Sequence, residues 1–325
     1  MRMCAEMRNN MRVLFMGTPD FAVDTLQTLI QSEHEVIGVV TQPDKPKGRS
    51  GKMQYSPVKE VAIEHEIAVY QPEKVRDEAF VQKVRQMSLD VIVVVAFGQI
   101  LSKELLEVPR YGCLNVHASL LPKLRGAAPI QWAVIDGDKE SGVTIMQMDE
   151  GLDTGDMLLT ETYRLAPDET GGSLFERLAK LGGPMILKVL KQAEEGTLHP
   201  VPQDEEKHTY AKMLSKATGE IDFSKTAVEI ERLIRGLNPW PSAYCFVNGK
   251  MLKIWAAEVI DSKEPEESIE NGTVTDICKD SFIVKTAQGA LKVTEVQLEG
   301  KKRMDVGAFL RGYALESGTV LKSKR

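Results

Sequence analysis

The chain has 325 residues, 42% hydrophobic and 27% charged, with a formal net charge of -6 at pH 7. Its length exceeds what one hydrophobic core usually supports, so two domains are expected, and its acidic balance argues against a generic nucleic-acid coat. The longest strongly apolar run, DVIVVVAF from Asp90 to Phe97, is too short to cross a bilayer and suits a buried strand.

The opening residues MRMCAEMRNN lack an apolar stretch of signal-peptide length and read as a frayed extension before Met11. From Met11, β-rich runs alternate with helical ones. RVLFM predicts a first strand, and a helix follows Pro19 with Thr18 or Asp20 as its cap. EVIGVV predicts a second strand, followed by a helix near Val58, a strand near Ala68 and a helix through Phe80 and Val84. DVIVVVAF and CLNVH are the next strands; then come a helix over Ala128 to Ile135 and the strand GVTIMQM. Such alternation, with nearly continuous apolar strands, predicts a mostly parallel sheet covered on both faces: an α/β doubly wound, Rossmann-like domain over residues 11–196. A long helix should close it from Gly172 to Glu195, interrupted around Gly182, Gly183 and Pro184.

GTLHPVPQDEEKHTYAKML is polar and weakly periodic, which reads as a surface linker over 197–215. Beyond it lie one amphipathic helix, TAVEIERLIRGL, and the short β-rich runs AYCFVN, MLKIWAAEV, TVTDI, SFIVKT and ALKVTEVQL. With Gly249, Gly272 and Gly289 as turn residues, they predict a small OB-like antiparallel β-barrel over 216–325. Basic residues gather near the end at Lys301, Lys302, Arg303, Arg311, Lys322, Lys324 and Arg325; a nucleic-acid contact and a solubilising terminus both account for them.

Cys4, Cys113, Cys245 and Cys278 are scattered and the five histidines are dispersed, so neither a disulfide framework nor a metal site is expected. A reducing cytoplasmic setting, no membrane association and a monomer are the corresponding expectations.

Three candidate sites stand out, the third built from two segments, and each lies after a predicted strand, where open α/β sheets bind ligands. FMGTPDFA has only Gly17 where a dinucleotide fingerprint needs three glycines, so helix capping suffices to explain it. TQPDKPKGRSGK carries Lys45, Lys47, Arg49 and Lys52; it reads either as a solvated loop or as a phosphate contact. GCLNVHASLLPKLRGAAPIQ places Asn115 and His117 two apart, hence on one face of a strand. MQMDEGLDTGDM supplies Asp149, Asp153 and Asp156. Turn chemistry explains these aspartates, and a core hydrogen bond explains a lone histidine. Together, however, a carboxamide and an imidazole can donate to a carbonyl oxygen that becomes negative, while a carboxylate orients the ring. That chemistry is acyl transfer. Ser119 has no clear base and Cys113 lies in an apolar run, so direct attack by the substrate fits better than a covalent enzyme intermediate.

With these residues in view, the chain resembles the folate-dependent formyltransferases from about Met11 to near its end. LNVHASLLPKLRGAAPIQWAVIDGD followed by GVTIMQMDEGLDTGDML resembles the core signature, while GTPDFA, TQPDKPKGR, SPVK and NPWPSA (Asn238 to Ala243) are similar to the branch that acts on tRNA. The resemblance implies 10-formyltetrahydrofolate as donor and the α-amino group of initiator methionyl-tRNA as acceptor. It assigns catalysis to Asn115, His117 and Asp153. It assigns folate contacts to Ser119, Leu120, Leu121 and Pro122, and more loosely to Phe97, Gly98, Gln99 and Ile100. It brings the loop holding Lys45, Lys47, Arg49 and Lys52 to the acceptor end of the tRNA. Ala118 departs from the glycine of some relatives without touching the three catalytic positions. The rivals are formylation of a small amine, which would need neither the basic loop nor the barrel, and a non-catalytic folate- or RNA-binding module.

Overall fold

A computed structural model of the chain describes residues 10–47, 52–261 and 269–324, which divide between two compact units. The first unit takes in residues up to Gly126, Ser141–Arg164 and Phe175–Tyr210. Its chain begins with β1 (Arg12–Gly17), α1 (Val23–Ile30), β2 (Glu35–Val40), the short strands β3 (Lys45–Lys47) and β4 (Lys52–Gln54), α2 (Pro57–Glu64) and β5 (Val69–Tyr70). It continues through α3 (Glu78–Arg85), β6 (Val91–Val95), α4 (Lys103–Leu106), β7 (Cys113–His117) and β8 (Arg125–Gly126). After α5 (Pro129–Ile135), which belongs to the second unit, come β9 (Glu140–Gln147), β10 (Met157–Arg164) and α6 (Gly171–Glu195).

Seven of the described strands form one sheet in the order β10-β9-β7-β6-β1-β2-β5. The pairs β7/β6, β6/β1, β1/β2 and β2/β5 are parallel, and β9 runs antiparallel to β7. Every residue of β6 is buried, which is why its sequence is an unbroken apolar run rather than an alternation. Strand order reverses between β1 and β6, so the crevice at their carboxyl ends is the switch point where such sheets take ligands. Thr18 works in this crevice instead of capping a helix. Its hydroxyl donates to Phe97 O at 3.4 Å and accepts from Gln42 N at 3.3 Å, joining three strand-end loops. The short helix after Pro19 has no side-chain cap.

Two elements differ from expectation. The edge strand β10, MLLTETYR, is half exposed, so its apolar and polar residues give no clean alternation. The helix α6 is continuous through Gly182, Gly183 and Pro184. Its glycines are a packing device, because a Cβ on Gly182 would meet Thr25 Oγ1 at 2.7 Å and Val116 Cγ1 at 2.9 Å, and one on Gly183 would collide with Thr28 Oγ1. Helix propensity alone would make Gly183→Ala stabilising by about 1 kcal/mol. The missing space wins: the variant should be destabilised by about 1–3 kcal/mol, read as a lowered midpoint in denaturant unfolding.

The second unit comprises Ala127–Glu140, Leu165–Leu174 and residues from Ala211 onward. After β11 (Tyr210–Ala211) it contains α7 (Ala227–Gly236), β12 (Ala243–Val247), β13 (Lys250–Ile260), β14 (Val274–Ile277), β15 (Phe282–Lys285), β16 (Ala290–Leu298), β17 (Met304–Asp305) and α8 (Val306–Gly312). A capping box opens α7: Glu229 N donates to Thr226 Oγ1 at 3.2 Å and Thr226 N to Glu229 Oε2 at 2.9 Å. Ile230 and Ile234 of this helix join Val247, Leu252, Phe282, Val293 and Phe309 in one core.

The second sheet runs β12-β13-β16-β15-β14 with β17 on β16, and its ladders leave it open. Single bridges tie Lys322 to Phe246 of β12 and Val320 to Thr273, beside β14. Gly272 permits this close approach: its φ is +91°, and a Cβ there would collide with Leu321 O. Among the described residues no helix is long and apolar enough to cross a membrane.

Candidate active site

Strand β7 delivers Asn115 and His117 at the carboxyl edge of the first sheet, in register with Val94 of β6 on one side and with Met146 and Thr144 of β9 on the other. The two side chains share a face and meet one carboxylate. Asn115 Nδ2 donates to Asp153 Oδ1 at 3.4 Å, and His117 Nδ1 lies 3.7 Å from Asp153 Oδ2. The first contact is a long hydrogen bond and the second is ion-pair distance only; such contacts commonly tighten when substrate arrives. On the other side of the ring, Nε2 is 3.0 Å from Leu124 O. A carbonyl can only accept, so in this arrangement Nε2 is the donor. The His117 and Asp153 side chains are 7% and 11% exposed, while Asn115 is half buried and gives the cluster its opening.

Asp153 is held by its own backbone as well as by its partners. Its φ is +55°, a left-handed conformation that aspartate and asparagine tolerate better than most residues. Gly126 N donates to Asp153 Oδ2 at 2.8 Å. Earlier in the loop, Asp149 Oδ1 accepts from Gly151 N at 3.0 Å and from Thr154 Oγ1 at 2.6 Å, so Asp149 serves the turn. Gln147 N donates to Asp156 O at 2.9 Å, and a Cβ on Gly155 would collide with Gln147 O. Of the three loop aspartates, Asp153 alone joins Asn115 and His117.

Behind this loop stands a group that the sequence did not reveal. Gln203 Nε2 donates to Asp153 O and to Gly155 O, both at 2.8 Å. Its Oε1 accepts from Arg125 Nε at 3.0 Å, and Arg125 makes a two-pronged pair with Glu205 at 3.1 and 2.7 Å. Arg125 is 1% exposed. Its guanidinium is shifted to still higher pKa by the hydrogen bonds it donates to Glu205, whose carboxyl is held below the usual range by the same contact. Gln203 and Glu205 lie in the polar segment read as a linker, where charge density hides a buried carboxamide.

The turn that follows β7 is internally satisfied. Ser119 Oγ donates to Lys123 O at 2.7 Å, Thr144 Oγ1 donates to Ser119 O at 2.7 Å, and Leu121 N donates to Thr144 Oγ1 at 3.3 Å. Leu121 is buried, and Leu120 and Pro122 are half buried. In the loop after β6, Phe97 is buried and its carbonyl also accepts from Gln42 Nε2 at 3.1 Å; Gln99 Oε1 accepts from Val75 N at 2.7 Å. Gly98 has φ +81°, and Ile100 stands 73% exposed. A cavity of about 430 Å³ lies between α4 and the aspartate loop, lined by Lys103, Leu106, Glu107, Met148, Asp149, Glu150 and Gly151. Its lining does not include Phe97 to Ile100.

The basic segment is a small hairpin rather than a bare loop: β3 and β4 pair Lys45 with Gln54 and Lys47 with Lys52. Arg49 lies outside the described residues. The base of the hairpin is tied down by Gln71 Nε2, which donates to Asp44 Oδ1 and to Gln42 O, both at 2.9 Å. Hydrogen bonding to Lys59 holds the Asp44 carboxyl below its ordinary range. Burial pushes the Cys113 thiol up to about 12, which leaves it protonated and unsuited to nucleophilic attack. Among the described residues no group of three or more His, Cys, Asp or Glu is placed to hold a metal ion.

Residues 10–190 match a family described as Formyl transferase, and residues 213–314 match Formyl transferase, C-terminal domain. The chain is 59% identical over 313 residues to a methionyl-tRNA formyltransferase of Lachnospira eligens, covering 96% of this chain and 99% of that protein. It is 50% identical over 311 residues to the methionyl-tRNA formyltransferase of Clostridioides difficile, covering 96% of this chain and all of that one. Among solved structures, WlaRD, a sugar 3N-formyl transferase, gives a TM-score of 0.65 at 19% identity over 90% of this chain and 99% of that one. HypX from Aquifex aeolicus in complex with tetrahydrofolic acid gives 0.60 at 18% identity, over 97% of this chain and 51% of that one. These two share the fold. With both family regions matched in order and near-complete relatives at such identity, the chain belongs to the formyl transferase family, among the methionyl-tRNA formyltransferases.

Proposed function

We infer that this chain transfers the formyl group of 10-formyltetrahydrofolate to the α-amino group of methionine on initiator methionyl-tRNA. The observation that carries the reading is the convergence of Asn115, His117 and Asp153 from two separate segments at the carboxyl edge of the parallel sheet. The relatives at 59% and 50% identity are named methionyl-tRNA formyltransferases, which supports the reading. The reading assigns the reaction to residues 11–196, a linker to 197–215 and a tRNA-binding, OB-like barrel to 216–325. The enzyme works as a monomer in the cytoplasm.

The folate supplies an activated formyl carbon and an amine leaving group. A folate ring system needs apolar surface with a few polar contacts; the reading places it against the 73% exposed Ile100 and the half-buried Leu120 and Pro122. An α-amino group has a pKa of about 7.7–8.0 in reference peptides, so much of it is neutral near physiological pH and no strong base is required. Asn115, half buried and bonded through its side chain to Asp153 alone among the described residues, donates to the formyl oxygen as charge develops. His117 adds a second donor once Nε2 turns from Leu124 O toward the substrate, while Asp153 keeps the ring in place. Asp153 and His117 then relay the proton from the attacking amine toward the departing nitrogen.

Radiolabelled formyl transfer tests the reading. Product should form with charged initiator tRNA and be absent with uncharged tRNA or free methionine; efficient formylation of an amino sugar in place of the tRNA would overturn it.

The hairpin carries a separate expectation. Changing Lys45, Lys47, Arg49 and Lys52 together to alanine should weaken tRNA binding and flatten the plot of log K against log salt by about 0.7 for each phosphate no longer neutralised. An unchanged slope would remove the hairpin from the tRNA interface.

A further inference from the structure

Gln203 occupies a place that few side chains can fill. It must accept from the Nε of a buried arginine and donate twice, to the carbonyls of Asp153 and Gly155, in a setting where Gln203 itself is 9% exposed. Only a carboxamide presents one acceptor oxygen and two N–H donors, and asparagine would be a methylene short. The carbonyls it serves belong to a turn with little freedom: Asp153 has φ +55°, and Gly155 has no room for a side chain. Left-handed backbone at a non-glycine residue persists where the surroundings over-determine it. The over-determination runs from Glu205 through Arg125 to Gln203 and ends on the backbone of Asp153, whose side chain faces Asn115 and His117. We propose that Gln203 is a positioning residue for formyl transfer: with Arg125 behind it, it fixes the turn that aims the Asp153 carboxylate at Asn115 and His117.

The proposal rests on the reading of Asp153 as part of the reacting cluster, and a double-mutant cycle separates the two. The variants are Gln203→Met, which keeps bulk and loses all three hydrogen bonds, and Gln203→Glu, which keeps the bond from Arg125 and loses the two donations. Each is made alone and together with Asp153→Asn, and kcat and KM are measured with charged initiator tRNA and with the folate donor.

If Gln203 acts through Asp153, each single Gln203 variant lowers kcat by about 10- to 100-fold with both KM values within threefold of the parent. The same substitution costs less than threefold once Asp153 is asparagine, because the two then share one function. Gln203→Glu sets a carboxylate oxygen against the carbonyls of Asp153 and Gly155 and lowers the thermal midpoint, so kcat is read well below that midpoint, where circular dichroism matches the parent and the loss is not unfolding. Near-parental kcat in both Gln203 variants, alongside a crippled Asp153→Asn, would overturn the positioning role and leave the site reading intact. Equal fold losses in the two Asp153 backgrounds would overturn it too. An active Asp153→Asn would sink the site reading and this inference with it.

Discussion

Asn115→Ala is expected to lower kcat by about 100- to 1000-fold while KM for both substrates stays within a few-fold. The scale is that of a lost oxyanion donor, about 2.7–4 kcal/mol of transition-state stabilisation. Three structural facts favour so large an effect. Asn115 is held in place by β6 and β9 on both sides of its strand, so its carboxamide needs little reorganisation. Among the described residues its side chain's one polar partner is Asp153, at 3.4 Å, which leaves donor capacity for substrate. His117 Nε2, in contrast, is already bonded to Leu124 O at 3.0 Å, so His117 cannot compensate without breaking that bond. A change confined to kcat marks an interaction made in the transition state, whereas a rise in KM alone would mark ordinary substrate binding. Steady-state formylation of charged initiator tRNA decides the matter, and turnover within tenfold of the parent would take Asn115 out of the mechanism.

How much of this was legible in the sequence depended on how local the signal was. The all-buried run of β6 announced a parallel core strand, and the two-residue spacing of Asn115 and His117 announced a shared face; both rest on strand periodicity alone. The glycines of α6 misled because their cause is remote: Thr25, Thr28 and Val116 crowd them, and nothing within the helix reports it. Gln203 was invisible for the same reason, since its partners Arg125, Asp153 and Gly155 lie far away along the chain. Arg125 carried a usable hint, a lone arginine between two apolar stretches in LPKLRGAAPI, because an arginine buried there must find a partner. The second unit proved a weaker discriminator than the sequence suggested. A sugar formyltransferase shares the fold over 90% of this chain, so the choice of tRNA over a small amine falls to the close relatives and to the basic hairpin.

Asp153→Asn should be the more damaging change, on the order of 1000- to 10,000-fold in kcat, the scale seen when a carboxylate that orients a catalytic histidine becomes an amide. The carboxylate receives Gly126 N at 2.8 Å and Asn115 Nδ2 at 3.4 Å, and it faces His117 Nδ1 at 3.7 Å. An ionised carboxylate can only accept, so its two oxygens suit the two N–H donors, Gly126 N and Asn115 Nδ2. Asparagine offers one oxygen and one NH2 group. If its oxygen stays on Gly126, the NH2 meets the NH2 of Asn115, and if it turns over, the backbone N–H of Gly126 is left without an acceptor. Either way a donor points at a donor, and His117 loses the negative charge beside it. The backbone gives no relief, since asparagine accepts a φ of +55° as readily as aspartate, so the fold should survive with the cluster miswired. Circular dichroism and the thermal midpoint should therefore match the parent while formyl transfer collapses. A variant that unfolds would place Asp153 in the scaffold, and one that is folded and turns over within tenfold of the parent would show that its charge is not needed.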